Sequence, residues 1–264
     1  MRVAVISDIH ANAEAFTAVL SDTAETGAEK MTVLGDIVGY GADPEACTQT
    51  VMVMGGDEAP TDAAPIELFD TVGPFRDALI CAVMGNHDMG AFGEEILTCM
   101  RYEAVKAVLW QRTVLSAETM SFLVARPLEV RYGDALFVHA SPYRPETFDY
   151  ILSRHEAVNA MDHVTGRLFF VGHTHDPVVY YETGTINPEW GERINLEPDV
   201  RYVVNAGSVG QPRDRDPRAC YVIWDMDADT LEFRRVEYDV EGAAQKIYDA
   251  GLPQVLGDRL FAGI

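Results

Sequence analysis

Five apolar runs of strand length each end in side chains that can ligate a metal or move a proton. RVAVI, at 2–6, leads through Ser7 into Asp8-Ile9-His10, and MTVL, at 31–34, into Gly35-Asp36. ICAVM, at 80–84, leads into Gly85-Asn86-His87-Asp88. ALFV, at 135–138, ends on His139, and LFFV, at 168–171, on Gly172-His173-Thr174-His175. In sheets built from strand–helix units, ligands gather beyond the carboxyl ends of the strands. Five strand ends carrying the same kinds of residue therefore point to one converging site. Of the seven histidines, only His155 and His163 lie outside these clusters, in a polar helical stretch. Glycines precede Asp36, Asn86 and His173, as tight turns and close backbone approach require.

The elements between the clusters set the fold class. In the first half, apolar runs of strand type alternate with helical spacing at 11–26 and 44–54, and a helical region with polar interruptions follows from about Glu94 to Ala125. Such alternation predicts a sheet with parallel pairs. The second half is richer in strands. LEVRY and ALFVHA flank Gly133-Asp134, a hairpin signal, and RLFFVG, PVVYYET, RYVVNAG, ACYVIWDM and TLEFRRVEY follow at short intervals before a closing helix at 240–251. The expectation is a mixed α/β (α+β) chain with two sheets face to face and helices outside. Residues 1–264 are expected to form one domain, with an inserted acidic loop at 55–75 rich in proline and glycine.

Composition removes several function classes. The formal net charge of −22 repels nucleic acid and anionic lipid, so neither a polynucleotide nor a membrane partner is expected. The apolar run at the N-terminus is too short for a signal-peptide core, which predicts a cytoplasmic protein. The four cysteines show no C-x-x-C spacing and are expected as reduced thiols.

The clustered donors are carboxylates, one amide and imidazoles, with no thiolate. That set disfavours a structural zinc site and suits an open catalytic site for manganese, iron, zinc or nickel. Seven candidate ligands are too many for one ion with an open position, and they suit two ions sharing a bridge.

These motifs resemble those of the calcineurin-like metallophosphoesterases. The resemblance rests on DIH at 8–10, GDIVGYG at 35–41, GNHD at 85–88, His139 in FVHASP, and GHTH at 172–175, in the family's order across most of the chain. NAGSVGQPRD, at 205–214, is similar to a signature of the small bacterial branch, which includes phosphodiesterases, dinucleoside tetraphosphate hydrolases and proteins regarded as protein phosphatases. The resemblance implies a four-layer fold, a two-sheet β-sandwich flanked by α-helices. It also implies two divalent or trivalent transition-metal ions. Asp8, His10, Asp36 and His175 would hold one, and Asp36, Asn86, His139 and His173 the other, with Asp36 as the bridge.

In the same reading His87 reaches over the site as a proton donor or phosphate contact. Asp88 either orients that imidazole or caps the next helix. Asn12, Tyr40 and Arg213 are candidate substrate contacts; Asn12 could equally cap the first helix, and Arg213 could instead pair with Asp214 or Asp216. The implied chemistry is metal-assisted hydrolysis, with hydroxide held between the ions attacking phosphorus in line. Two divalent cations would outweigh the charges of Asp8 and Asp36, so an acidic chain can still hold an anionic substrate. The expected substrate is a small phosphodiester or dinucleoside polyphosphate. A protein Ser/Thr phosphatase using the same site is the alternative, and a non-catalytic scaffold is a more distant one.

Overall fold

The computed structural model of the chain describes residues 1–57 and 71–264. Two six-stranded sheets form its centre. In the first, β1 (Arg2–Ile6), β2 (Lys30–Val33) and β3 (Leu79–Ala82) run parallel. The helices α1 (Ala13–Thr26) and α2 (Pro44–Met54) make the connections out of β1 and β2. Beyond β1 the sheet continues antiparallel through β11 (Ala219–Asp225), β12 (Thr230–Val236) and β9 (Arg193–Asn195). The second sheet has the order β4-β5-β6-β10-β7-β8. Its hairpin β4 (Glu129–Tyr132) and β5 (Ala135–Val138) turns at Gly133-Asp134. Its parallel centre is β5, β6 (Leu168–Val171) and β10 (Tyr202–Asn205). The strands β7 (Val178–Tyr181) and β8 (Gly184–Ile186) close the edge.

Period-two alternation sorts the strand residues into layers. Val3 and Val5 of β1 join Phe137, Phe170, Trp224 and Phe233 between the sheets, whereas Ala4 and Ile6 face Phe16, Val19 and Leu20 of α1. Phe170 stands 5.4 Å from Phe137 and 5.2 Å from Trp224, so one aromatic stack ties the two sheets together. Burying a large apolar side chain contributes about 1.5–3 kcal/mol. On the far face of the second sheet, Leu136, Phe169 and Val203 pack on α6 (Arg154–His163). The result is the expected four layers, helix–sheet–sheet–helix.

The short helix α3 (Asn86–Gly90) follows β3 directly, and α4 (Tyr102–Gln111) and α5 (Ala117–Val124) fill the helical region. The chain closes with α7 (Val240–Asp249), as expected, and α8 (Gln254–Ala262), which the sequence reading missed. Leu256 and Leu260 of α8 pack on Ala243, Ala244 and Ile247 of α7 and on Ala107 of α4. The acidic loop foreseen at 55–75 falls largely outside the described residues. Its described ends sit at the start of β3, where Arg76 donates to the Asp57 carbonyl (3.2 Å), and not at the carboxyl end where Asn86 and His87 stand. Among the described residues no helix is long and apolar enough to cross a membrane.

Candidate metal centre

The carboxyl ends of β1, β2, β3, β5 and β6 meet at one edge of the sandwich. Backbone hydrogen bonds lace their loops together: Asp8 N to Gly35 O (3.1 Å), His10 N to Asp36 O (2.9 Å) and Gly172 N to His139 O (2.9 Å). The loops are packed so closely that a Cβ on Gly85 would lie 2.1 Å from Asp36 Oδ1. Asp8, His10, Asp36, Tyr40, His173 and His175 all hold left-handed backbone, with φ from 50° to 66°. Non-glycine residues in that region carry about 1 kcal/mol or more of strain each. The surrounding packing overrides this, and it aims six functional side chains inward.

Asp8, His10 and His175 bring ligand atoms within 4.8 Å of one another, as do Asp36, His139 and His173; His10, Asp36 and His87 form a third, overlapping group. Asn86 joins the second group through Oδ1, 3.2 Å from His139 Nε2. The seven ligand candidates named from sequence are thus brought to one place, and all are buried.

Their hydrogen bonds decide what the cluster can hold. His10 Nδ1 lies 3.1 Å from the Val38 carbonyl, His139 Nδ1 2.8 Å from Leu34 O, and His175 Nδ1 2.5 Å from Gln211 O. A neutral imidazole that donates from Nδ1 has only a lone pair left on Nε2. Those Nε2 atoms face other lone pairs: His10 and His175 at 3.1 Å, His139 and His173 Nδ1 at 3.1 Å, His175 and Asp8 Oδ1 at 3.2 Å. Asp8 Oδ2 is held by Ser7 Oγ (2.6 Å) and His173 N (3.0 Å), while buried Oδ1 has no hydrogen-bond donor. Such a set repels itself unless positive charge stands in the middle. Ring nitrogens fixed by backbone carbonyls with the other nitrogen bare are also how proteins present histidine to a metal.

Burial and the two carboxylates pull the imidazoles in opposite directions. Burial depresses the imidazolium of His10, of His87 (to about 4) and of His173 (to about 3). Burial opposes charge on His139 too, but Asp36 and Asp8 outweigh it and carry its pKa up to about 9. Burial likewise works against the Asp36 charge, and His139, His87 and His10 hold it well below the usual carboxylate range all the same. Without a metal, a proton on His139 would supply the positive charge that Asp36 and Asp8 call for; with His139 neutral, the donors present fit divalent metal.

A profile of the Calcineurin-like phosphoesterase superfamily domain matches residues 1–229. The chain belongs to that superfamily. It is therefore a phosphoester hydrolase, and it is similar to solved metallophosphoesterases. One from Sphaerobacter thermophilus is 35% identical, with a TM-score of 0.81 and coverage of 100% of this chain and 99% of that one. An uncharacterized protein of Methanocaldococcus jannaschii is 38% identical over 267 residues, 99% of this chain and 98% of that protein. A hypothetical protein of Pyrococcus horikoshii, 20% identical with a TM-score of 0.71 over 100% of this chain and 98% of that one, shows the fold alone.

Around this metallophosphoesterase centre, the structure refines three expectations. Asp88 does not touch the His87 ring. Its carboxylate accepts from Gly85 N (2.9 Å), Ile37 N (2.9 Å) and Val38 N (3.2 Å), which clamps the GDIVG and GNHD loops together. Burial pushes this carboxyl up to about 7, Asp36 adds to that, and the Gly85 and Val38 amides pull the other way. Asp88→Ala should leave three buried N–H groups without an acceptor and destabilise the fold by more than about 3 kcal/mol. Urea unfolding measures this, and a loss under 0.5 kcal/mol would show that the clamp is dispensable.

Asn12 is engaged at both ends of its amide. Oδ1 caps α1 by accepting from Ala15 N (3.0 Å), and Nδ2 donates to Gly210 O (2.9 Å). It ties α1 to the loop at Gly210 and is not among the residues that line the cavity of His87 and Arg213. Arg213 ignores its acidic neighbours: Asp214 pairs with Arg235, and Asp216 with Arg218 at 2.6 Å. Its Nη2 instead donates to Tyr40 Oη (3.0 Å). The Tyr40 ring lies 4.4 Å from His87 and 4.5 Å from His10. Ser208 holds the turn by donating to Asp8 O and accepting from Gln211 N, both at 2.9 Å.

Sequence reasoning passed over Ser7, Gln111 and Tyr150. Gln111 accepts from Gly39 N (2.6 Å) and donates to Gly41 O (2.8 Å), pinning the loop that carries Tyr40. Tyr150 stacks on the His173 ring with centroids 4.0 Å apart. Only Ser7, adjacent to Asp8, carried a local signal.

Proposed function

We propose that the chain is a dinuclear metal-dependent phosphoesterase acting on a small phosphodiester or dinucleoside polyphosphate. One observation carries the two-ion reading. Asp36 Oδ2 stands between the donor sets, 3.7 Å from His10 Nε2 and 3.3 Å from His139 Nε2, so one carboxylate oxygen can serve both positions. Asp8, His10 and His175 complete the first, and Asn86, His139 and His173 the second. Manganese, iron, zinc and nickel all suit these donors. Bound in such a pair, the ions lower the pKa of water and neutralise charge on the phosphoryl oxygens.

The chain's own residues supply the rest. A cavity of about 620 Å³ opens beside the cluster and is lined by Asn86, His87, His173, Tyr40, Tyr150 and Arg213, among others. That volume is in the range of small-molecule sites, about 300–1,000 Å³. His87 and Arg213 face it and offer N–H donors to phosphoryl oxygens. The net charge of −22 disfavours extended polyanions at long range, which supports a compact substrate and makes nucleic acid an unsuitable one.

Steady-state kinetics on metal-loaded protein test the reading. The panel is an aryl phosphomonoester, a diester, a dinucleoside polyphosphate and a phosphopeptide. The diester or the dinucleotide should show the highest kcat/KM. A phosphopeptide that outperforms both would favour the protein phosphatase reading instead.

A further inference from the structure

Asp and Glu outnumber Lys and Arg 42 to 20 in this chain, so a carboxylate neighbour is the normal state of its cations. Among the described residues, every arginine but four pairs with a carboxylate or donates its guanidinium to a backbone carbonyl. The four are Arg101, Arg213, Arg215 and Arg259. Three of them, Arg101, Arg213 and Arg259, line one cavity beside the metal-donor cluster.

They come from distant parts of the fold. Arg101 precedes α4, Arg213 follows the NAGSVGQP loop, and Arg259 lies in α8. No local sequence cause brings them together, and like charges gathered in one cavity repel. In a chain so rich in acid, a cavity lined by three arginines, none of them within ion-pair reach of a carboxylate among the described residues although the terminal Ile264 lines it too, is a place suited to an external anion. Arg213 links this region to the chemistry, because it donates to Tyr40 Oη, and the Tyr40 ring packs on His87.

We propose that Arg101, Arg213 and Arg259 form a second anion subsite. It takes the phosphoryl groups of the substrate beyond the one placed at the metal-donor cluster. This rests on reading the chain as a phosphoesterase and narrows its substrate class to phosphoanhydrides, such as nucleoside or dinucleoside polyphosphates, over singly charged diesters. Guanidinium forks match phosphate oxygens two at a time.

Calorimetric titration of manganese-loaded protein with orthophosphate and with tripolyphosphate tests the subsite without relying on turnover. Wild-type protein should bind tripolyphosphate at least tenfold more tightly than orthophosphate. Arg101→Gln and Arg259→Gln should each weaken tripolyphosphate roughly tenfold, the worth of a charge-assisted hydrogen bond, and move orthophosphate less, so that the preference collapses. Arg259→Lys should restore part of it. Arg215→Gln removes the same charge from outside the cavity lining and should leave the preference as in the wild type. Equal wild-type affinities for the two anions would overturn the proposal. So would an Arg215→Gln effect as large as the other two, because general charge would then account for the binding. Failure of the phosphoesterase reading would appear in the substrate panel and not in this ratio.

Discussion

Asp36→Asn is expected to abolish hydrolysis and to weaken metal binding at both positions together. The substitution keeps the shape of the side chain, and its amide oxygen can still accept from His87 N, as Asp36 Oδ1 does at 2.8 Å. What it removes is the charge between the His10 and His139 rings. Loss of a residue that merely supports a metal ligand costs about 10–100-fold in affinity or activity. A ligand shared by two ions should cost more, and kcat should fall by at least about 10³-fold, because the several kcal/mol of charge stabilisation that the ions supply goes with them. Elemental analysis after dialysis gives the metal content, and circular dichroism reports whether the fold survives. A variant that keeps both ions, or loses one while holding the other at wild-type strength, would rule out the bridge.

The site was legible in the sequence because its chemistry leaves few choices. Carboxylates, an amide and imidazoles placed just after apolar runs have no packing reason to recur five times, so their pattern alone joins the strand ends into one site. The layers were legible for a similar reason: Val3 and Val5 alternate with Ala4 and Ile6, and only a sheet covered on both faces uses such a run. What stayed hidden depends on contacts far apart in the chain. Asp88 reads as a partner for its neighbour His87 or as a cap for the next helix; it does accept from Gly85 N at the start of α3, but the amides it also holds, at Ile37 and Val38, lie some 50 residues away. Tyr150 belongs to no motif, and only the fold stacks it on His173. The strands β8 and β9 have three residues each, too few to show a period. Arg101, Arg213 and Arg259 share no sequence motif; that none of them pairs with a carboxylate among the described residues is a property of the folded chain.

His87→Ala is expected to leave metal content unchanged and to lower kcat by about 10²–10³-fold, the usual loss when one positioned donor to a developing oxyanion is removed. His87 is buried beside the cluster and lines the adjoining cavity, yet its Nδ1 has no hydrogen-bond partner. An imidazole that serves as a proton shuttle is commonly oriented by a carboxylate. Here the adjacent carboxylate, Asp88, is engaged by three backbone amides. The position facing Nδ1 is Gly39, where a Cβ would lie 2.3 Å from that nitrogen, so no side chain can stand there to assist. The ring is left as a donor to a phosphoryl oxygen, with its free nitrogen turned toward Gly39. Of the two roles the sequence allowed, the geometry therefore favours phosphate contact over proton donation. The loss should then be similar for good and poor leaving groups, since stabilising the phosphoryl oxygens helps both. Gly39→Ala should reproduce much of it by displacing the ring. A series of aryl esters of graded leaving-group pKa separates the roles. If the His87→Ala defect shrinks steadily as the leaving group improves, the imidazole protonates the departing oxygen, and the phosphate-contact assignment is wrong.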